Sequence, residues 1–304
     1  MATSGSTDFS VNCLELIKAM LRQIGELAEG QTPTDEQVVD CREAMNMLLK
    51  QWMGQTHTLK MWLRKELTIV LSTTSSEYIL QIRRLAFTSG GTTAISVGDT
   101  ITGATGGATA IVCCVTLTSG TWAGGDAAGE FLIYGQVGTF EAEELNTNKA
   151  TIAANSTQYG PFNEIVEAVL RNSDSQDIPM KQLTEAEYMA IGGKGSTGTP
   201  RKYLFIKGID KVVVKLDVIS TTAESSMVLV VKREIEDLDA NTNDIDMPRE
   251  WYRALKFNGA IEVAPEYGAD ISKTLAYLAS DSLEKALSFE PEDTVIYFQP
   301  GLDY

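Results

Sequence analysis

The sequence predicts an α+β fold: an antiparallel helical hairpin and C-terminal helices packed with a β-rich middle, which carries an inserted small all-β domain. Three observations carry that expectation. Leu14, Ile17, Leu21 and Ile24 recur at alternating spacings of three and four, as do Val38, Cys41, Met45, Leu48 and Trp52. That spacing puts each set on one helical face. Downstream, short runs rich in Val, Ile and Leu have strand character. From about Thr88 to Gln158 the composition then shifts to Gly, Thr, Ala and Ser, with no Lys or Arg before Lys149.

A length of 304 residues suits about two structural units of roughly 150 residues. At 43% hydrophobic residues the chain can bury a real core. No apolar run approaches the ~20 residues of a membrane span. Met1 to Asp8 is polar, without a basic or an apolar stretch, and reads as a flexible arm and not as a signal peptide. A non-secreted, reducing compartment is therefore expected, with the four cysteines (Cys13, Cys41, Cys113, Cys114) as buried thiols. Cys113 and Cys114 are adjacent in an apolar β-run and should point to opposite faces of their sheet.

The elements follow in order. Helix one is expected over about Ser10 to Ala28, with Ser10 as N-cap and Gly30 beyond its end. Helix two starts at a capping box, Thr34 to Gln37, and ends near Gly54. Glu66 to Leu71 reads as a strand, and Tyr78 to Ile82 as its hairpin partner. In the Gly-rich insert, Ile101–Thr102, Ile111 to Leu117, Phe131 to Tyr134 and Thr139–Phe140 read as short strands of a compact barrel or sandwich. Ile165 to Leu170, Tyr203 to Ile206, Lys211 to Ile219 and Met227 to Lys232 are further strands, and Glu185 to Ile191 is a short helix. Lys211 to Val218 alternates only partly, which suggests cover on both faces. Asp246 caps a third helix with Pro248 in its first turn, running towards Tyr267 with Pro265 ending or kinking it. A fourth helix carries Ile271, Leu275 and Leu278 to about Ser288. Val295 to Phe298 is an apolar strand-like tip on an acidic tail, which should dock on its own domain or on a neighbour.

Little in this pattern points to bond-making chemistry. His57 is the single histidine, which removes most metal and Ser-His-Asp arrangements. Gly192-Gly193-Lys194-Gly195-Ser196 resembles a phosphate loop superficially, but Tyr188 stands where the first glycine belongs. Asp237, Asp239 and Asn241 begin like a calcium loop, but Thr242 and Pro248 occupy the positions of its Gly and Glu. A net charge of −16 disfavours tight nucleic-acid binding. It suits equally a solvated surface and a wall past which DNA slides without sticking. No cofactor or metal is expected, and the chain reads as a builder of interfaces and not as an enzyme.

The order of these parts resembles the head-to-tail adaptor (head-completion or tail tubular) proteins of short-tailed bacteriophages. The matching pieces are Ile17 to Gly25, Ala44 to Trp52 and the Glu66 to Leu80 region. Further on they are Ile178-Pro179-Met180 with Glu187-Tyr188, then Gly198-Thr199-Pro200 with Tyr203. The last are Asp246-Met247-Pro248-Arg249-Glu250-Trp251, Ala254-Leu255 and Pro265-Glu266-Tyr267. Two departures stand out: Leu216 to Ile219 replaces a Trp-Pro-x-Pro pattern, and the insert between Leu85 and Pro161 is extra. The insert resembles a Gly-Asp-Thr-x-Thr-Gly-Ala-Thr β-module of phage virion proteins, here Gly98 to Thr105.

The resemblance implies a structural virion protein at the portal vertex, made in the host cytoplasm. Its copies, roughly twelve, would form a cyclic ring between portal and tail or nozzle proteins, closing the filled head and lining a channel for DNA. Residues 1–8 would be an arm, 9–87 and 159–288 the adaptor core, 88–158 the insert and 289–304 a docking tail. Val295, Ile296, Tyr297 and Phe298 are the candidates for portal contact. Trp52, Trp251 and Leu255 are the candidates for subunit packing, or else core. The alternative is a surface- or carbohydrate-binding virion component acting through the insert.

Overall fold

The computed structural model describes residues 9–54, 64–146, 149–159, 162–208, 211–221 and 226–288. The arm (1–8), His57 and the tail with Val295, Ile296, Tyr297 and Phe298 lie outside the described residues. The fold is mixed α+β. In chain order it runs α1 (Cys13–Ile24), α2 (Asp35–Gly54), β1 (Arg64–Val70), β2 (Glu77–Leu80), β3 (Arg83–Gly90), β4 (Thr100–Thr102) and β5 (Thr109–Ser119). It continues with β6 (Ala128–Val137), β7 (Glu143–Leu145), β8 (Ala150–Ile152), β9 (Thr157–Gln158), β10 (Glu164–Arg171), β11 (Asp177–Pro179), β12 (Lys181–Leu183) and α3 (Glu185–Met189). It closes with β13 (Thr197–Gly198), β14 (Lys202–Lys207), β15 (Val212–Leu216), β16 (Ile219–Ser220), β17 (Ser226–Lys232), α4 (Tyr252–Val263) and α5 (Lys273–Ser288). No helix among the described residues is long and apolar enough to cross a membrane.

Two compact units divide the chain. One joins Met1–Trp62 to Ile235–Tyr304, and the other is Leu63–Glu234. The first boundary therefore falls where the helices stop. It does not fall at 87/88 and 158/159, where composition alone drew it.

In the helical unit, α1 buries Cys13, Leu16, Ile17, Met20 and Leu21, so Leu14 and Ile24 sit at the margins of the expected stripe. Its cap is Asn12 and not Ser10. Asn12 Oδ1 accepts from the Glu15 backbone N–H at 2.9 Å, and Glu15 accepts in return from the Asn12 N–H. Gly25 ends the helix in the left-handed region (φ 84°). The expected box at α2 forms: Gln37 N–H donates to Thr34 Oγ1, and Thr34 N–H to Gln37 Oε1. The whole Val38, Cys41, Met45, Leu48, Trp52 stripe is buried. Both helices pack on α4. Gly259 lets α1 approach α4 closely, since a Cβ there would stand 2.8 Å from Met20 Cε. Asn258 Nδ2 donates to the carbonyls of Ala254 and Ala279, tying α4 to α5. The α5 helix buries a narrow stripe of Leu275, Ala279, Ser282 and Ala286 and is capped by Ser272, whose Oγ accepts from Leu275 N–H.

The start of the third helix differs from expectation. A 3-10 turn, Arg249–Trp251, precedes α4, and Pro248 holds the N-cap position. Asp246 instead accepts from the Glu236 N–H at 3.0 Å. A backbone donor outside the helix engages its carboxylate.

In the β unit, two four-stranded sheets, ordered β1-β17-β10-β11 and β12-β14-β15-β2, bury residues in one shared core. The anticipated β1–β2 hairpin does not form. β1 pairs antiparallel with β17, aligning Leu67 with Leu229 and Ile69 with Met227, while β2 pairs with β15, aligning Tyr78 with Val214. Tyr78 also staples the intervening turn, accepting from Ser72 N–H and donating to Ser75 C=O. Strand character was readable locally, but the pairing was chosen by which apolar rows could share a core. β15 alternates buried and half-buried residues strictly, so the expected two-sided burial of Lys211 to Val218 reduces to one fully buried face. The short α3 covers Leu204 on the other side of β14, through Leu183 and Tyr188.

The Gly-rich region forms a barrel. Its strands run β4-β5-β6-β3-β8-β7, and a bridge between Gly103 and Leu145 joins the first strand to the last. A separate core fills it, including Leu85, Phe87, Ile101, Val112, Phe131, Phe140 and Ile152. Phe140 is a buried plug and not part of a strand. The barrel begins at Arg83, ahead of the compositional shift at Thr88.

A bulge in β5 alters the cysteine expectation. Val112 pairs with Ile133 and Cys114 with Leu132, leaving Cys113 as the extra residue. Alternation breaks there, so Cys113 and Cys114 both face the core shared by the four-stranded sheets. Cys113 Sγ donates to Leu132 C=O, and burial pushes its thiol pKa up. Leu132 and Tyr134 enter the same core, and Tyr134 Oη accepts from Val70 N–H. The barrel is thus covered on its β5–β6 side by the neighbouring sheets, and its outer residues there are core residues.

Candidate functional site

The surface of the helical unit with the most organised polar chemistry lies along α2. Arg42, Asn46 and Lys50 are spaced by four, so they line one helical face. Each reaches the backbone of an extended strap, 235–239. Lys50 Nζ donates to Ile235 C=O at 3.2 Å, Asn46 Nδ2 to Leu238 C=O at 3.3 Å, and Arg42 Nη1 to Asp239 C=O at 2.9 Å. Leu238 N–H donates back to Asn46 Oδ1 at 3.0 Å. The carboxamide therefore binds the strap as a neighbouring strand would. Ile235 and Leu238 turn inwards, each 2% exposed. Asp237 turns out and pairs with Lys50 at 2.8 Å.

The strap then runs into the loop that resembled a calcium site. Its carbonyls do a different job. Asn243 C=O accepts from Cys13 N–H and Asn241 C=O from Leu14 N–H, satisfying the open amides at the start of α1. Among the described residues no group of three or more His, Cys, Asp or Glu side chains could hold a metal ion.

Beside the strap lies a groove of about 580 Å³. Val39 and Met47 on its α2 side are 48% and 54% exposed, with Glu43 between them. Elsewhere on the unit, Tyr277 of α5 is 68% exposed. These side chains offer apolar contact flanked by charge.

Trp52, Trp251 and Leu255 do not belong to this surface. They are 4%, 1% and 0% exposed. The Trp52 and Trp251 rings meet at 5.7 Å between centroids, tilted by 56°. These three are core residues, and any contact with another subunit must use other side chains. Large apolar side chains suit a subunit contact and a core alike, and here the core takes them.

The remaining sequence candidates resolve into structure. Lys194 of the glycine-rich loop donates to the Met189 and Ile191 carbonyls and sits over the Tyr188 ring, capping α3. Cys13 and Cys41 are buried free thiols. Burial, with Asp40 and Glu266 nearby, pushes the Cys41 pKa up to about 12. What sequence reading missed is the Arg42–Asn46–Lys50 row. Its spacing was visible as a polar line beside the apolar stripe, but its partner lies almost two hundred residues away.

Compared with known protein families and with curated proteins, the chain matches none.

Proposed function

We propose that this protein is a ring-forming adaptor of a phage virion, placed between the portal and the tail, whose copies surround the path of the DNA. The observation that carries the reading is the meeting of Trp52 with Trp251. The pieces that resemble the adaptor proteins at the two ends of the chain, Ala44 to Trp52 and Asp246 to Leu255, build one helical unit together. An antiparallel pairing of α1 with α2 belongs to the same reading. The exposed Val39, Met47 and Tyr277 favour lateral contact between copies, and a net charge of −16 favours a low-friction channel wall. Many weak contacts closed into a cycle hold far better than any one of them. Val295 to Phe298 is the proposed portal contact, by strand or groove addition.

Mass photometry and electron micrographs of the purified chain, alone and mixed with its portal protein, test the proposal. Rings, or single copies that form rings on the portal, are expected. A chain that stays monomeric with the portal present contradicts it. Removal of 289–304 is expected to abolish portal attachment and leave the fold intact.

A further inference from the structure

Where the barrel meets β2, an open hollow of about 350 Å³ is lined by Ile79, Gln81, Arg83, Gln136, Thr139 and Asn155, with glycine backbone between them. The volume lies near the lower end of small-molecule sites, about 300–1,000 Å³. Its inner wall is pre-organised. Ser156 is 4% exposed, and its hydroxyl donates to Gln136 Oε1 at 2.7 Å while accepting from Arg83 Nε at 2.8 Å. Arg83 Nη2 donates to the Ser156 carbonyl at 2.9 Å, and Gln136 Nε2 to the Gly138 carbonyl at 2.9 Å. One edge of the guanidinium is therefore spent on holding it still.

The other edge is not. Nη1 and the second hydrogen of Nη2 form a planar fork with no acceptor among the described residues, and such a fork matches a carboxylate. Around it stand groups that both donate and accept: the Gln81 and Asn155 carboxamides and the Thr139 hydroxyl, all exposed. Ile79, 51% exposed, offers an apolar contact on the same rim. Arg83 is the one ionic side chain of the lining, in a chain of net charge −16. A polyphosphate or nucleic-acid backbone would need several cations here. A single fork among neutral amides and a hydroxyl fits one carboxylate on a ring of hydroxyls.

We propose that this hollow binds an acidic saccharide, with Arg83 on the carboxylate of a hexuronic acid unit and Gln81, Thr139 and Asn155 on its hydroxyls. The proposal does not rest on ring assembly.

Titration calorimetry and saturation-transfer NMR of the full chain test it, with tetragalacturonate as probe and maltotetraose and inorganic phosphate as controls at matched ionic strength. Tetragalacturonate is expected to bind, and maltotetraose to bind at least about tenfold more weakly, the worth of one charge-assisted pair. Arg83→Lys, which keeps the charge without the fork, is expected to weaken tetragalacturonate by a similar factor. The double variant Gln81→Ala/Asn155→Ala changes only exposed side chains and should weaken it with unchanged circular dichroism. Failure of tetragalacturonate to bind, equal binding of maltotetraose, displacement by phosphate alone, or indifference to the double variant overturns the proposal.

Discussion

The strap along α2 and the closing seam of the barrel are both held by side chains that bond a neighbouring backbone. They differ in burial and in the charge at the centre of each. On the strap, Arg42, Asn46 and Lys50 donate to carbonyls from partly exposed positions. On the seam, two short acceptors take backbone N–H groups. Glu143, 5% exposed, accepts from Thr105 N–H at 2.6 Å, Gly106 N–H at 3.0 Å and Glu141 N–H at 3.2 Å. Asn146 Oδ1 accepts from Thr102 N–H while its Nδ2 donates to the Thr100 carbonyl. A Cβ at Gly103 would stand 2.3 Å from the Glu143 carboxylate, so glycine is required where the loop wraps it. A partly exposed donor costs less when removed, because water can reach the carbonyl it leaves. A buried carboxylate serving three amides cannot be replaced so easily. The seam should therefore be the costlier and more pH-sensitive of the two.

Four experiments would break or sharpen that contrast, and the largest effect concerns the barrel as a whole. If 88–158 were a mere decoration, its removal would leave the rest intact. Cys113, Leu132 and Tyr134 instead share a core with Leu67, Ile69 and Leu229. Deleting 88–158 is expected to unfold the β unit, seen as loss of its near-ultraviolet dichroism; a folded β unit would show the barrel to be a detachable module.

Next is Glu143→Ala, expected to cost about 2–3 kcal/mol by denaturant unfolding, since several amides lose a charged acceptor. The same residue gives the pH dependence. Burial alone would raise its pKa, but the N–H groups of Gly106, Thr105 and Glu141 together bring it below the ordinary carboxylate value. A lowered pKa means stabilisation that is complete above the unfolded value of about 4.3 and is lost as pH falls through the folded value. Amide exchange at 100–106 should rise at acid pH in the native chain, and Glu143→Gln should show much less of that change.

Asn46→Ala is expected to cost about 1–2 kcal/mol, because Leu238 loses partners for both its N–H and its C=O. Proteolysis within 235–239 would report the freed strap. The smallest effect is Lys50→Ala. Its pair with Asp237 is 43% and 55% exposed at the two side chains, so about 0–1 kcal/mol is expected, shrinking further in high salt. If Lys50→Ala exceeded Glu143→Ala, the contrast between partly exposed donors and a buried acceptor would be wrong.

Local signals were legible and partnerships were not. The α2 stripe and its capping box, and most of the β-run positions, follow from spacing and composition, because each depends on neighbours within a few residues; in the Gly-rich region composition suits a barrel and a sandwich alike. At α1 both Ser10 and Asn12 suit a cap, and the Asn12–Glu15 capping box decides it. The β1 and β2 partners, the shared core beneath the barrel and the α2 strap depended on residues far along the chain. A one-residue bulge at Cys113 was enough to send two adjacent cysteines to one side of their sheet.

By itself, the sequence determined which stretches coil and which extend, since helix and strand periodicity are properties of a short window. It also determined that the chain is acidic and has one histidine. Only the tertiary structure decided that the two chain ends share a helical unit, that Trp52 and Trp251 are spent on each other, and that Glu143 closes a barrel. Those outcomes turn on which apolar rows and open backbone groups find each other in space. The entropy of bringing distant residues together is met only by the whole set of contacts at once, so no short window records it.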